Sequence, residues 1–164
     1  MSIYLIRHGE TIDGKDRILL GHHHSALSSE GLTQSKAVAR KIDGVEKIIT
    51  SDLPRALIFT KLIQQQKYVP YEKDIRLRER DYGLYNGKPI DKLLSDFGSF
   101  DFEEAPSGGE SRADFYRRVD SFYQSILSVD NIAIVSHAGV IMKLMENFGL
   151  KKYVPKNGEV IKIR

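Results

Sequence analysis

Arg7-His8-Gly9-Glu10-Thr11 stands directly after the apolar run Ile3-Tyr4-Leu5-Ile6, so a guanidinium and an imidazole sit side by side where a buried strand should end. In open α/β sheets ligands collect outside the carboxyl ends of the strands. A histidine placed there can act as a nucleophile or proton carrier, while the adjacent arginine grips an anion. Taken alone, the pair reads equally well as a surface loop after an edge strand. Two later segments repeat the pattern: Lys47 to Thr50 is followed by Ser51, Asp52 and Arg55, and Ile132 to Val135 by Ser136 and His137. If those strand ends converge, two arginines and two imidazoles surround one point. That set suits a tetrahedral dianion, with guanidinium forks on phosphoryl oxygens and a neutral imidazole attacking phosphorus in line.

The elements that must deliver these residues alternate between short β-rich runs and amphipathic helical stretches, which points to an α/β sheet with helices on its faces. Ser28 is the expected N-cap of a helix to Ile42, with Leu32, Ser35, Val38, Ala39 and Ile42 on its inner face. Pro54 opens a helix carrying Leu57, Ile58, Lys61 and Leu62, closed by Gln64-Gln65-Gln66. A small helix is expected at Ile90 to Phe97. From Ser111 to Leu127, Phe115, Val119, Phe122 and Ile126 recur at helical spacing, a stripe that belongs to a core. Val140 to Phe148 reads as a helix and Val160 to Ile163 as a last strand entered through Asn157-Gly158.

The chain of 164 residues is long enough to bury one core, and no linker-like stretch divides it, so a single domain over 1–164 is expected. Cysteine is absent, which removes disulfides, thiolate metal sites and cysteine nucleophiles. Four apolar residues before Arg7 are too few for a secretory core, and no run reaches membrane-spanning length, giving a cytoplasmic expectation without a membrane partner. The net charge of +3 is scattered rather than clustered, so nucleic acid is not an expected partner. Nothing in the pattern fixes an oligomeric state.

Five blocks in order carry a resemblance: Arg7-His8-Gly9-Glu10-Thr11, Ser51-Asp52-Leu53-Pro54-Arg55-Ala56, Leu77-Arg78-Glu79-Arg80-Asp81-Tyr82-Gly83, Gly108-Gly109-Glu110-Ser111 and Val135-Ser136-His137-Ala138-Gly139-Val140. Together they resemble the histidine phosphatase superfamily in its phosphoglycerate mutase-like branch. The resemblance implies a three-layer sandwich with a mostly parallel sheet and a two-step transfer through a phosphohistidine. His8 is then the nucleophile, Arg7, Arg55 and His137 bind the phosphoryl group, and Glu79 is the general acid. It implies no metal and no cofactor, the arginines and the histidine supplying the positive charge. From the residues alone, Glu79 could instead pair with Arg78 or Arg80, and His137 could be a core histidine.

Departures from the family pattern bear on substrate. Gly14 stands where an asparagine is common. Gly21 matches a residue lining the phosphate pocket, Tyr82 a substrate-contacting tyrosine, and Ala138 follows the second histidine. His22, His23 and His24 invite a metal, but consecutive residues do not face one ion on regular structure; a solvated loop with His22 at the pocket rim is expected. The cap-like connector at about 84–109 is short and lacks the paired arginines that phosphoglycerate mutases use for a second phosphate. A small phosphorylated substrate and phosphatase chemistry are therefore expected over mutase chemistry, similar to the α-ribazole phosphatases. A phosphohistidine-protein phosphatase and a non-catalytic phospho-ligand binding domain are the alternatives.

Overall fold

Residues 2–164 are described by a computed structural model. Five strands, β1 (Ile3–Arg7), β2 (Lys47–Thr50), β3 (Tyr71–Lys73), β4 (Ile132–Ser136) and β5 (Val160–Lys162), form one sheet in the order β3-β2-β4-β1-β5. Neighbours among β1 to β4 pair parallel, and β5 runs antiparallel to β1 at the edge. The central strands are apolar at nearly every position because both faces are covered. Side chains alternate across the sheet. Ile3, Leu5, Ile132 and Ile134 face one core with α5 (Arg112–Ser125) and α6 (Ala138–Asn147). Tyr4, Ile6, Ala133 and Val135 face a second core with α2 (Ser29–Lys41) and α3 (Pro54–Lys67). This is the expected three-layer α/β sandwich. Two shorter helices, α1 (Ile12–Lys15) and α4 (Ile90–Phe97), lie outside these layers.

The caps fall where the sequence puts them. Ser28 and Ser111 each accept an N–H from the third residue beyond, Gly31 and Asp114, satisfying a free donor of the first turn. The expected inner face of α2 differs at one position, and α3 shows a face that no expectation had assigned. On α2, Ser35, Val38 and Ala39 are buried, but Leu32 is exposed. On α3 the buried stripe is Arg55, Ala56, Phe59, Thr60 and Ile63, whereas Ile58 and Lys61 are exposed and Leu57 and Leu62 half-buried. The reason is that Arg55 must face the site, and positions three to four residues on follow it inward. Thr60 is tolerated there because its hydroxyl bonds that of Thr50 at 2.8 Å. β3 and α1 are not foreseen by periodicity, being a three-residue edge strand with one apolar side chain and a single helical turn.

The connector at 84–109 packs on the segment after α1, around Leu19, and on Tyr82. Its α4 buries Leu93 against Leu19, Tyr82 and Phe102, while Phe97 stacks on Phe102 with centroids 4.0 Å apart. Arg80 locks this lobe from beneath. Its guanidinium donates to the carbonyls of Phe102 (2.9 Å), Glu104 (2.8 Å) and Glu110 (3.1 Å) and lies 4.2 Å from the Phe102 ring centroid.

Candidate active site

β1, β2 and β4 end side by side, so their following loops meet at one edge of the sheet. There they enclose a cavity of about 390 Å³ lined by Arg7, His8, Gly21, Arg55, Glu79, Tyr82 and Ala138, among others. Every one of these was singled out from sequence. His137 stands behind the lining, its ring edge-on to that of His8 with centroids 5.1 Å apart. His22 does not line the cavity. Its Nε2 donates to the Glu79 carbonyl at 2.8 Å and its Nδ1 lies 3.4 Å from Asp81, so the side chain braces the Glu79 loop from behind. His23 pairs with Asp13 at 2.8 Å, while His24 is exposed. Among the described residues, no group of three or more histidines and carboxylates gathers to hold a metal ion.

His8 is buried, and its Nδ1 lies 2.7 Å from the Gly9 carbonyl. A carbonyl only accepts, so Nδ1 carries the proton and Nε2 presents a lone pair. Arg55 Nε–H donates to that lone pair at 3.2 Å. Burial, reinforced by the charges of Arg55 and Arg7, holds the His8 pKa far below the ordinary histidine value. The imidazole is therefore neutral at physiological pH. His137 is shifted the same way, by burial first and then by Arg55 and His8. The Ser51 hydroxyl accepts the Leu53 N–H at 3.2 Å and lies 2.8 Å from His137 Nε2; of these two partners only the imidazole nitrogen can accept its O–H, which assigns the imidazole proton to Nδ1.

Arg55 is fixed by the loop after α1: Nη2 donates to Gly21 O at 2.7 Å and Nη1 to His23 O at 3.1 Å. Burial lowers its pKa to about 10, which leaves it cationic near neutrality. Arg7 Nη1 donates to Pro155 O at 2.7 Å, and burial lowers its pKa as well. Two buried side-chain nitrogens in the described residues have no hydrogen-bond partner, Arg7 Nε and His137 Nδ1. Both flank His8. Buried donors left unpaired are costly and rare, so their clustering around one imidazole marks a place built for an anion.

Glu79 sits across the cavity at the N-terminus of α6, where its Oε2 accepts the Gly139 N–H at 3.0 Å and its Oε1 the Arg80 N–H at 3.0 Å. Its carboxylate does not pair with either neighbouring guanidinium. Arg78 forks onto Asp52 (2.7 and 2.5 Å), and Arg80 is spent on the connector carbonyls.

Several supporting residues were not found from sequence. Arg118 on α5 donates to the carbonyls of Arg76 (2.8 Å), Arg78 (2.6 Å) and Glu79 (2.9 Å) and forks onto Glu110 (2.7 and 2.8 Å), so it clamps the backbone that carries Glu79. Asn157 donates through Nδ2 to the His8 carbonyl at 3.1 Å, and the Gly158 N–H reaches Arg7 O at 3.0 Å. Helical spacing places Arg118 beside the buried stripe, and Asn157-Gly158 signals a turn, but neither signal names a distant loop as the partner. Glu10 serves the frame: its Oε1 accepts from Ser28 Oγ at 2.7 Å and its N–H donates to Gln34 at 2.9 Å, tying the loop after β1 to α2.

Known proteins share the family and the fold. The model of the histidine phosphatase superfamily (branch 1) matches residues 3–154. A putative alpha-ribazole-5'-P phosphatase from Escherichia coli superposes with a TM-score of 0.84 at 25% identity, over 100% of this chain and 91% of that one. YhfR from Bacillus stearothermophilus gives a TM-score of 0.84 at 27% identity, covering 98% of this chain and 89% of that one. Among curated sequences, the probable phosphoglycerate mutase GpmB of Yersinia pestis (strain Pestoides F) is 36% identical over 95 residues, 57% of this chain. That match spans 44% of the relative's own length.

Proposed function

Because the chain belongs to the histidine phosphatase superfamily, branch 1, we propose that it hydrolyses a small phosphate monoester by way of a phosphohistidine on His8. The observation that carries this reading is the pair of unpartnered buried donors, Arg7 Nε and His137 Nδ1, beside a neutral imidazole with its lone pair on Nε2.

The phosphoryl group of the substrate displaces Arg55 Nε from His8 Nε2. Its oxygens take hydrogen bonds from Arg7, Arg55 and His137 in place of water. His8 Nε2 forms the N–P bond as the P–O bond to the alcohol breaks, and Glu79 in its protonated form gives the departing oxygen its proton. Water then attacks phosphorus from the side the alcohol left, Glu79 takes its proton, the N–P bond breaks, and inorganic phosphate departs. Negative charge that gathers on the oxygens in both transition states meets two guanidinium groups already fixed in place. Hydrolysis, rather than transfer to a second acceptor, is supported by the resemblance to phosphatases and by a cavity lining that, among the described residues, carries no cation beyond Arg7 and Arg55.

Hydrolysis of p-nitrophenyl phosphate in excess EDTA tests this, comparing the wild type with His8→Ala. Activity that survives chelation and falls by about 10³-fold or more in the variant is expected. Turnover retained by His8→Ala overturns the phosphohistidine route. No turnover by either protein favours a phospho-ligand binding domain.

A further inference from the structure

Resting on that phosphatase reading, we infer that the alcohol half of the substrate is apolar and carries no second charge. The cavity of about 390 Å³ is of the size that encloses a small organic ligand. Its charged lining residues are Arg7, Arg55 and Glu79, the three already assigned to the phosphoryl group and the departing oxygen. The remaining wall is formed chiefly by Leu19, Leu20, Tyr82, Phe100, Met142 and Val154. Phe100, edge-on to Tyr82 with centroids 6.5 Å apart, and Val154 are 43% and 64% exposed, large apolar side chains on the lining that remain open to solvent. An exposed apolar rim that continues into an apolar wall marks a ligand surface.

The charge distribution on the cavity lining argues against a second charge. A carboxylate or second phosphoryl group in the alcohol would leave water to face carbon on most sides, with no cation on that part of the lining to meet it. A polyol would leave its hydroxyls similarly unpaired. A neighbouring hollow that shares Tyr82, Phe100, Gly139 and Met142 with this one carries Arg80, Arg112, Lys143 and Lys152; Arg80 is held by connector carbonyls, Arg112 pairs with Asp101 and Glu103, Lys143 with Asp120 (3.3 Å) and Glu146 (3.0 Å), and Lys152 is not on the cavity lining. An alkyl or aryl group, by contrast, is driven into the cavity by the surface it removes from water.

A homologous series of ethyl, butyl and hexyl phosphate separates this effect from the chemistry, because the three alkoxides leave with nearly equal difficulty. Burial of each methylene should raise kcat/KM about three- to fourfold, or about 10²-fold from ethyl to hexyl phosphate. The charged ester 3-phosphoglycerate should be turned over no better than ethyl phosphate. Met142→Lys should flatten the alkyl series and raise 3-phosphoglycerate relative to hexyl phosphate; Val154→Lys, at an exposed position that the fold tolerates, should act in the same direction. A flat series in the wild type, or preference for 3-phosphoglycerate over hexyl phosphate, overturns the apolar assignment and leaves the phosphatase reading standing. Failure to hydrolyse any ester removes both.

Discussion

His8 and His137 are neutral because they are buried beside cations, and this neutrality is a cost to the fold as well as a condition for chemistry. Their pKa values in the folded protein lie well below 6.5, whereas the unfolded chain protonates them near that value. Below pH 6.5 the unfolded state therefore binds more protons, and stability falls as pH falls. Each histidine should contribute a loss of about 1 kcal/mol between pH 7.5 and 5.5. Urea midpoints across that range should show the decline, and His137→Asn should remove about half of the histidine contribution; an unchanged slope would refute it. Glu79 is tested by leaving group. Glu79→Gln should lower kcat/KM for an alkyl phosphate by about 10²-fold or more and by much less for p-nitrophenyl phosphate, whose phenolate departs without a proton. Equal losses would remove the acid role. At this scale the sequence is most informative, since histidine, arginine and glutamate at strand ends have few other uses. It did not reveal that His22 turns away from the cavity to brace the Glu79 carbonyl, because a run of three histidines fixes no side-chain direction.

Elements were legible where periodicity is strong and silent where tertiary contacts decide. The stripe of Phe115, Val119 and Phe122 placed α5 correctly, because a buried face must repeat every three to four residues. α3 was found but its buried face was not, because its inward side carries Arg55 and Thr60, which hydrophobicity assigns to solvent. The same blindness hid Arg118, a charged residue on α5 whose partners are the carbonyls of Arg76, Arg78 and Glu79 and the Glu110 carboxylate. We treat it as a positioning residue. Arg118→Lys keeps the charge but loses the planar fork that spans these acceptors. It should lower kcat/KM for alkyl phosphates by about tenfold while reducing that for p-nitrophenyl phosphate by less than about threefold, since only the former depends on where the Glu79 carboxyl sits. A uniform loss on both would show that the clamp serves stability alone.

Across the whole molecule, the sheet joins distant parts of the chain. β1 lies between β4 and β5, so Ile3 pairs with Ile132 and Tyr4 with Lys162. The loop carrying His8 also takes hydrogen bonds from Asn157 and Gly158, near the other end of the sequence. The α/β class could be read from the alternation of strand and helix, but this strand order could not, because parallel pairing leaves no local mark in the sequence. The placement of β1 has a consequence for synthesis on the ribosome. Ile3-Tyr4-Leu5-Ile6 emerges ahead of both strands that flank it, and they follow only after more than a hundred residues, an interval of about ten seconds at ordinary rates of translation. Throughout that interval an apolar strand has open edges on both sides, and a nascent chain in this condition is a natural client for a chaperone.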